Sequence, residues 1–273
     1  MGVINTERWL CYYLKYWHEK KDKKQKLDWQ RQILIQPLEK RFSMKVEEIH
    51  SYFMDLGLPK PDLQVDDLVT QFIENKILES TETYYQRLLK EWNGPDVPIY
   101  IFPLISSNQK KHVDENKMGV SFSDFICLFI EPLIDERGIQ SLMTHEYHHV
   151  CRLALTNETE EKITLLESIV MEGLAEAAVK EEVGTEHVAN WMTRYNEEFC
   201  RGWFERLIQP NLLMQGRKSY HELLFGDRTK QIPEMIGYAV GYYLIQSVVK
   251  KEKIKTKELL KLSSNTLYEL SGW

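Results

Sequence analysis

The chain has 273 residues and a mass of 32.5 kDa, enough for a sizeable core in one large domain or in one domain with a helical subdomain. It is 43% hydrophobic and 28% charged, the balance of an ordinary soluble globular protein. A net charge of −6 and a pI of about 5.8 exclude a global basic field for gathering nucleic acid, and no apolar run reaches the roughly 18–20 residues of a bilayer span.

The opening residues, Met1 to Arg8, lack the basic and long apolar regions of a signal peptide. Thr6 to Trp17 places Trp9, Leu10, Tyr13, Leu14 and Trp17 at helical spacing. The charged run from Glu19 to Lys26 then interrupts the pattern; it mixes acids with lysines and reads as a solvated linker or helix face. Amphipathic helices are expected over 28–41, 46–56 and 66–92, with Pro59-Lys60-Pro61-Asp62 as a break. The pattern changes at 94/95, which divides an N-terminal helical region, 1–94, from a second domain, 95–273.

Val97 to Ile105 is rich in β-branched and aromatic residues, with Pro103 marking an edge or a strand end. Gly119 to Ser123 alternates apolar and polar, and Phe125 to Ile130 is a continuous apolar run that predicts burial on both faces. A small sheet of about three strands is therefore expected. Helices follow over 135–156, 162–184, 186–209, 217–225, 234–252 and 255–270, so the fold class is α+β, mainly α-helical. The four cysteines, Cys11, Cys127, Cys151 and Cys200, form no C-x-x-C pair, which predicts reduced, packed thiols in a cytoplasmic protein.

Chemistry enters at His145-Glu146-Tyr147-His148-His149. On a helix, His145 and His149 lie about 40° apart and both can reach one metal ion, while Glu146, about 100° from His145, can accept a proton from water. Leu142, Leu153, Ile139 and Val150 share their stripe, so the two histidines and the glutamate point inward. His148 and Tyr147 fall on other faces and are expected at the periphery. Catalytic zinc needs a third protein ligand and an open position. Arg152 and Leu155 stand where a metzincin has glycine and histidine, so that ligand comes from elsewhere. On the next helix Glu172 and Glu176, i and i+4 apart, lie in an apolar stripe with Leu165 and Ile169. Glu172 is the candidate third ligand and Glu176 the outer carboxylate that holds a ligand histidine; the reverse assignment stays open. Gly173, Ala175 and Ala177 leave room for close packing on the motif helix, and Glu167 faces elsewhere as a surface acid.

His145-Glu146-x-x-His149 followed by Glu172-Gly173-x-x-Glu176 resembles the gluzincin, thermolysin-like clan of metallopeptidases. More narrowly, T-H-E-Y-H-H, E-G-L-A-E and Gly237-Tyr238-Ala239-Val240-Gly241-Tyr242 resemble the YjaZ-like family of predicted zinc-dependent peptidases, over roughly residues 95–252. The resemblance implies a zincin-like domain, one catalytic Zn²⁺ and a peptide or protein substrate. By the same analogy, the last strand before the motif helix would be a sheet edge along which a peptide lies.

In metal-assisted hydrolysis Glu146 is the general base. A developing oxyanion needs a further donor, for which Tyr238, Tyr242 and His221 are candidates; each could equally be a core aromatic or a surface residue. The motif defines the attacking water and not the bond attacked, so a non-peptide amide or ester stays open. A non-catalytic protein-binding scaffold is a third reading, disfavoured by the intact Glu146. Neither a nucleic acid nor a membrane is expected as a partner.

Overall fold

The first helix, α1 (Thr6–Trp17), has its expected bounds: the Asn5 side chain accepts from Arg8 N at 3.1 Å, and Leu10, Tyr13 and Trp17 are buried. The computed structural model describes residues 1–105, 116–192 and 194–273, which contacts divide into two units, Met1–Met143 and Thr144–Trp273. This division falls inside the motif helix, whereas that at 94/95 follows a change of residue pattern.

In the first unit the charged run is exposed for most of its length, its first half linking α1 to the next helix and its second half opening that helix. Asp22 caps α2 (Lys23–Gln30) by accepting from Gln25 N at 2.9 Å, and Lys26 Nζ lies 3.5 Å from the Trp17 ring centroid. The helix expected to reach residue 41 instead loosens into a π-helical turn, Arg31–Ile35, and a 3-10 turn, Gln36–Leu38. Pro37 has no amide hydrogen, and Gln36 N reaches back five residues to Arg31 O. After α3 (Val46–Asp55), the helix expected over 66–92 is two, α4 (Asp66–Glu74) and α5 (Ile77–Trp92). The break is at Lys76, whose φ of 52° is left-handed, while Asn75 Nδ2 donates to Pro132 O at 2.9 Å.

The sheet has four strands in the order β1-β2-β4-β3: β1 (Gly2–Val3), β2 (Pro98–Pro103), β3 (Lys117–Ser121) and β4 (Ile126–Ile130). The two-residue β1 is an addition to the three expected. β2 and β4 pair in parallel, with Ile99 opposite Ile126, and every residue in both is buried, as the apolar runs require. Pro103 ends β2. β3 pairs antiparallel with β4 through the turn closed by Phe122 N on Phe125 O at 2.9 Å. The last strand before the motif helix, β4, is therefore internal and not the edge that the gluzincin analogy implied; β3, which precedes it, closes that side. Phe53, Phe102 and Phe129 form the aromatic centre of this unit, with centroids 5.0–5.8 Å apart.

The motif helix, α6 (Glu136–Thr156), runs into the second unit. There α7 (Leu165–Glu182) is central, buried without interruption from Leu165 to Val179. The helix expected over 186–209 is 3-10 turns at Thr185–His187 and Asn190–Met192, then α8 (Glu197–Trp203), then a π-helical turn, Phe204–Ile208; Thr193 lies outside the described residues. This second π turn also precedes a Gln-Pro pair, Gln209-Pro210, so one cause serves twice. Next come α9 (His221–Phe225) and α10 (Ile236–Glu252), then α11 (Thr256–Leu259) and α12 (Ser264–Ser271), the last capped by Ser263. Among the described residues no helix is long and apolar enough to cross a membrane.

α7 and α10 meet backbone to backbone. A Cβ on Gly173 would stand 2.1 Å from Gly241 O, and one on Gly241 would stand 2.2 Å from Ile169 O. Gly173 thus serves contact with α10 and not, as expected, with the motif helix. It follows Glu172 by one residue, about 100° round the helix, and so leaves the face that presents the carboxylate.

Gly173→Ala is expected to cost about 3 kcal/mol or more, because a backbone carbonyl cannot yield to the added methyl. Gly202→Ala, whose Cβ would meet nothing within 4 Å, should leave stability unchanged or slightly raised. Urea unfolding of the pair checks this; equal midpoints would contradict the close approach.

Candidate metal centre

From Thr144 to Arg152 no residue of α6 is exposed, and Tyr147 and His148 are buried outright. The expectation that both lie at the periphery is corrected. A helical wheel assigns one side to solvent, but this segment is covered all round. Burial, then the nearby cationic groups, holds His148 well below the usual imidazole pKa. Cys151 is a packing thiol, pushed by burial up to about 12.

His145 and His149, one turn apart, bring their Nε2 atoms to 2.9 Å with the rings at 87°. Glu172 Oε2, from α7, stands 3.4 Å from both. One ligand atom from each of these residues falls within 4.8 Å of the others. The donor set can be tested against a cation. His145 Nδ1 lies 2.7 Å from Glu176 Oε1, and donating its hydrogen there leaves the Nε2 lone pair facing the cluster. Glu172 Oε2 is buried with no hydrogen bond to satisfy it. Bonds of about 2.0–2.1 Å to a tetrahedral ion separate ligand atoms by about 3.3 Å, which matches the nitrogen–oxygen spacings and asks the two nitrogens to part slightly. Two imidazoles and a carboxylate are a zinc donor set, and they fit.

The electrostatics agree. Burial would raise the Glu172 carboxyl, but the imidazoles of His149 and His145 outweigh it and hold the group well below the usual range. Burial opposes protonation of His145, yet Glu172 and Glu176 reverse that and raise it well above its ordinary value. The cluster thus draws positive charge to the point its ligand atoms share. Glu176 completes the support, since its Oε2 accepts from Ala189 N at 2.9 Å. Glu172 thus faces both Nε2 atoms, and Glu176 lies on the far nitrogen of His145.

Glu146 is buried beside its histidines, and its charge acts on Tyr238. Burial, with the Glu172 carboxylate next in weight, keeps the Tyr238 phenol protonated far above neutral pH. The Tyr238 phenol therefore lies within electrostatic reach of Glu172 and Glu146. Tyr242 is also buried, but it packs against Tyr243 and lies 6.0 Å below Lys180 Nζ, towards Glu176. His221 is exposed at the start of α9 and stacks on Phe225, with no described contact to the cluster.

Sequence reasoning passed over a second charged group on the same two helices. Arg152 and Glu167 are both buried: Nε donates to Oε1 at 2.6 Å and Nη2 to Oε2 at 2.9 Å, while Nη1 donates to Leu260 O and Leu262 O at 2.7 and 2.6 Å. Glu167 is not the surface acid its wheel position suggested. Its N–H is capped by Thr164 at 3.1 Å and its carboxylate is spent on Arg152. A signal was available: an arginine seven residues after His145 falls on the same inward stripe, where a charge must find a partner.

In this helical α+β chain the HExxH helix and the following helix thus meet at a two-histidine, one-glutamate cluster that could hold a metal ion. Residues 77–269 match the family described as "Predicted Zn-dependent protease (DUF2268)", and the chain belongs to it. Among curated proteins it is similar to the uncharacterized protein YjaZ of Bacillus subtilis (strain 168), 37% identical over 186 residues, 67% of this chain and 70% of that one. It is also similar to the uncharacterized protein YjfC of the same organism, 28% identical over 157 residues, 54% of this chain and about half, 52%, of the relative's length. No solved structure matches the chain.

Glu176→Ala is expected to weaken zinc binding by about 10–100-fold while the protein stays folded, read by competition against a chromogenic chelator. Unchanged affinity would remove its supporting role. Glu167→Ala, which strands a buried guanidinium, should cost about 3–5 kcal/mol, and the paired change Arg152→Met with Glu167→Leu should cost much less. Thermal unfolding of the three proteins decides, and a loss under about 1 kcal/mol in Glu167→Ala would contradict the pairing.

Proposed function

We propose that this protein is a zinc metallopeptidase that cleaves peptide bonds with Glu146 as general base. The observation that carries the reading is the convergence of His145 Nε2, His149 Nε2 and Glu172 Oε2, with Glu146 on the same buried face. Membership of a family described as a predicted Zn-dependent protease supports it. Bound at these ligands, one zinc ion supplies the Lewis acid that polarises a scissile carbonyl and acidifies water. Glu146 takes the proton of the attacking water and passes it to the leaving amine. Tyr238, whose hydroxyl stays protonated, donates to the developing oxyanion. Glu176 fixes the His145 ring through Nδ1, so that Nε2 is presented as a lone pair. Tyr242 keeps a lesser claim as a donor, and His221 would act only if substrate brought it in. The substrate is a peptide or protein; nucleic acid and membrane have no part in the reading. Four thiols with no disulfide among them support a reducing, cytoplasmic setting.

The purified protein is expected to carry one zinc per chain by elemental analysis and to cleave a quenched peptide library until a chelator is added. Glu146→Gln should retain the metal and lose at least about a thousandfold in turnover, whereas Glu172→Ala should lose the metal. Full activity in Glu146→Gln would end the general-base mechanism, and full zinc occupancy in Glu172→Ala would end its role as ligand.

A further inference from the structure

Arg217 is a loosely paired charge in this unit. The segment that carries it is tied to the lead-in of α7: Leu165 N donates to Met214 O at 2.9 Å, Gly216 N to Ile163 O at 3.0 Å and Arg217 N to Glu160 O at 3.0 Å. Three residues on, the Tyr220 hydroxyl is shared with Ser168 Oγ and Ile163 O, both at 2.9 Å. The root of the Arg217 side chain is therefore fixed beside the helix that bears Glu172. Its charge is felt there, since Glu172 and Tyr238 are among the groups that act on it.

The guanidinium is poorly matched by what surrounds it. Nε is buried and makes no hydrogen bond, although Glu160 Oε1 stands 3.5 Å away. Glu160 is itself 70% exposed, against 25% for Arg217, so this ion pair lies towards solvent and is cheaply exchanged. On the indole side of Tyr238, Trp191 Nε1 is a second buried donor with no partner among the described residues, its ring 6.3 Å from the Tyr238 ring and edge-on to it. Trp191 thus leaves a buried donor open against Tyr238, and the charge of Arg217 acts on the same phenol.

We propose that Arg217 forms a carboxylate-binding subsite next to the metal cluster, and that the preferred substrate presents a free carboxylate there. The proposal rests on the hydrolase reading and adds a substrate class to it. A guanidinium is a permanent, planar, two-pronged cation, matched to carboxylate rather than to a neutral amide. The buried Tyr238 would serve an oxyanion inside the site. Arg217 instead keeps part of its side chain open, as a group that receives charge arriving from solvent must. The carboxylate is that of a chain terminus or of an acidic side chain.

The test is calorimetric binding to the zinc-loaded protein carrying Glu146→Gln, which holds peptide without turnover. The probes are N-acetyl-Ala-Ala-Phe as free acid, the same peptide as C-terminal amide, and N-acetyl-Ala-Asp-Phe amide. At least one carboxylate-bearing peptide is expected to bind about tenfold or more tighter than the neutral amide, and which one it is identifies the source of the carboxylate. Adding Arg217→Gln should bring the three within about twofold, and Arg217→Lys should keep part of the preference. Equal affinity for all three peptides, no binding up to about 1 mM, or an equal loss for all three in Arg217→Gln would overturn the subsite. The acid-to-amide comparison in the parent needs no substitution at 217, so a variant that fails to fold cannot hide the answer. An Arg217-dependent preference in a protein that, with Glu146 intact, cleaves no peptide would remove the peptidase reading and leave the subsite standing.

Discussion

Helix α7 buries three carboxylates, Glu167, Glu172 and Glu176, and each must be met by positive charge or a donor, because an uncompensated buried carboxylate costs several kcal/mol. Helix α6 meets all three. Arg152 takes Glu167, His149 faces Glu172 and His145 takes Glu176. As residue numbers rise on one helix they fall on the other, so the pairings form an antiparallel ladder with His149 and Glu172 as its middle rung. The lower rung is closed permanently by a guanidinium. The middle one is balanced only in part by imidazole, and that imbalance suits it to a cation.

The other side of α7 is governed by shape rather than charge. Gly173 and Gly241 let α10 approach until backbone meets backbone, and this brings Tyr238 to the Glu172 carboxylate. Tyr238 and Glu172 are therefore related through two helices and not through a loop. Arg217 enters differently, on a segment laced to the start of α7 by backbone hydrogen bonds, which leaves its guanidinium partly open.

The core of the site was legible in the residues because helical spacing is a strong geometric statement. His145 and His149, and Glu172 and Glu176, share faces by arithmetic alone, and both pairs meet in space. Legible for the same reason were α1, the buried β2 and β4, and the α+β class. What the pattern hid was context. A wheel cannot show that α6 is enclosed on all sides, so Tyr147, His148 and Glu167 were placed outside. The break at Asn75-Lys76 involves neither glycine nor proline, and the left-handed Lys76 stands next to an asparagine anchored to Pro132, far along the chain. β1 is two residues long, too short to carry any alternation. Arg217 opens the helix expected over 217–225, but α9 begins only at His221, and it is the fold that ties the Arg217 segment to the start of α7.

The Arg152 clamp has a consequence in time. Its first partner, Glu167, follows it by 15 residues, but the carbonyls of Leu260 and Leu262 come 108 and 110 residues later. At about 5–20 residues per second, a growing chain carries its motif helix for roughly 5–20 s before those two acceptors are made. Until then one arm of a buried guanidinium lacks its partners, and the ladder that aligns the histidines with their carboxylates is incomplete.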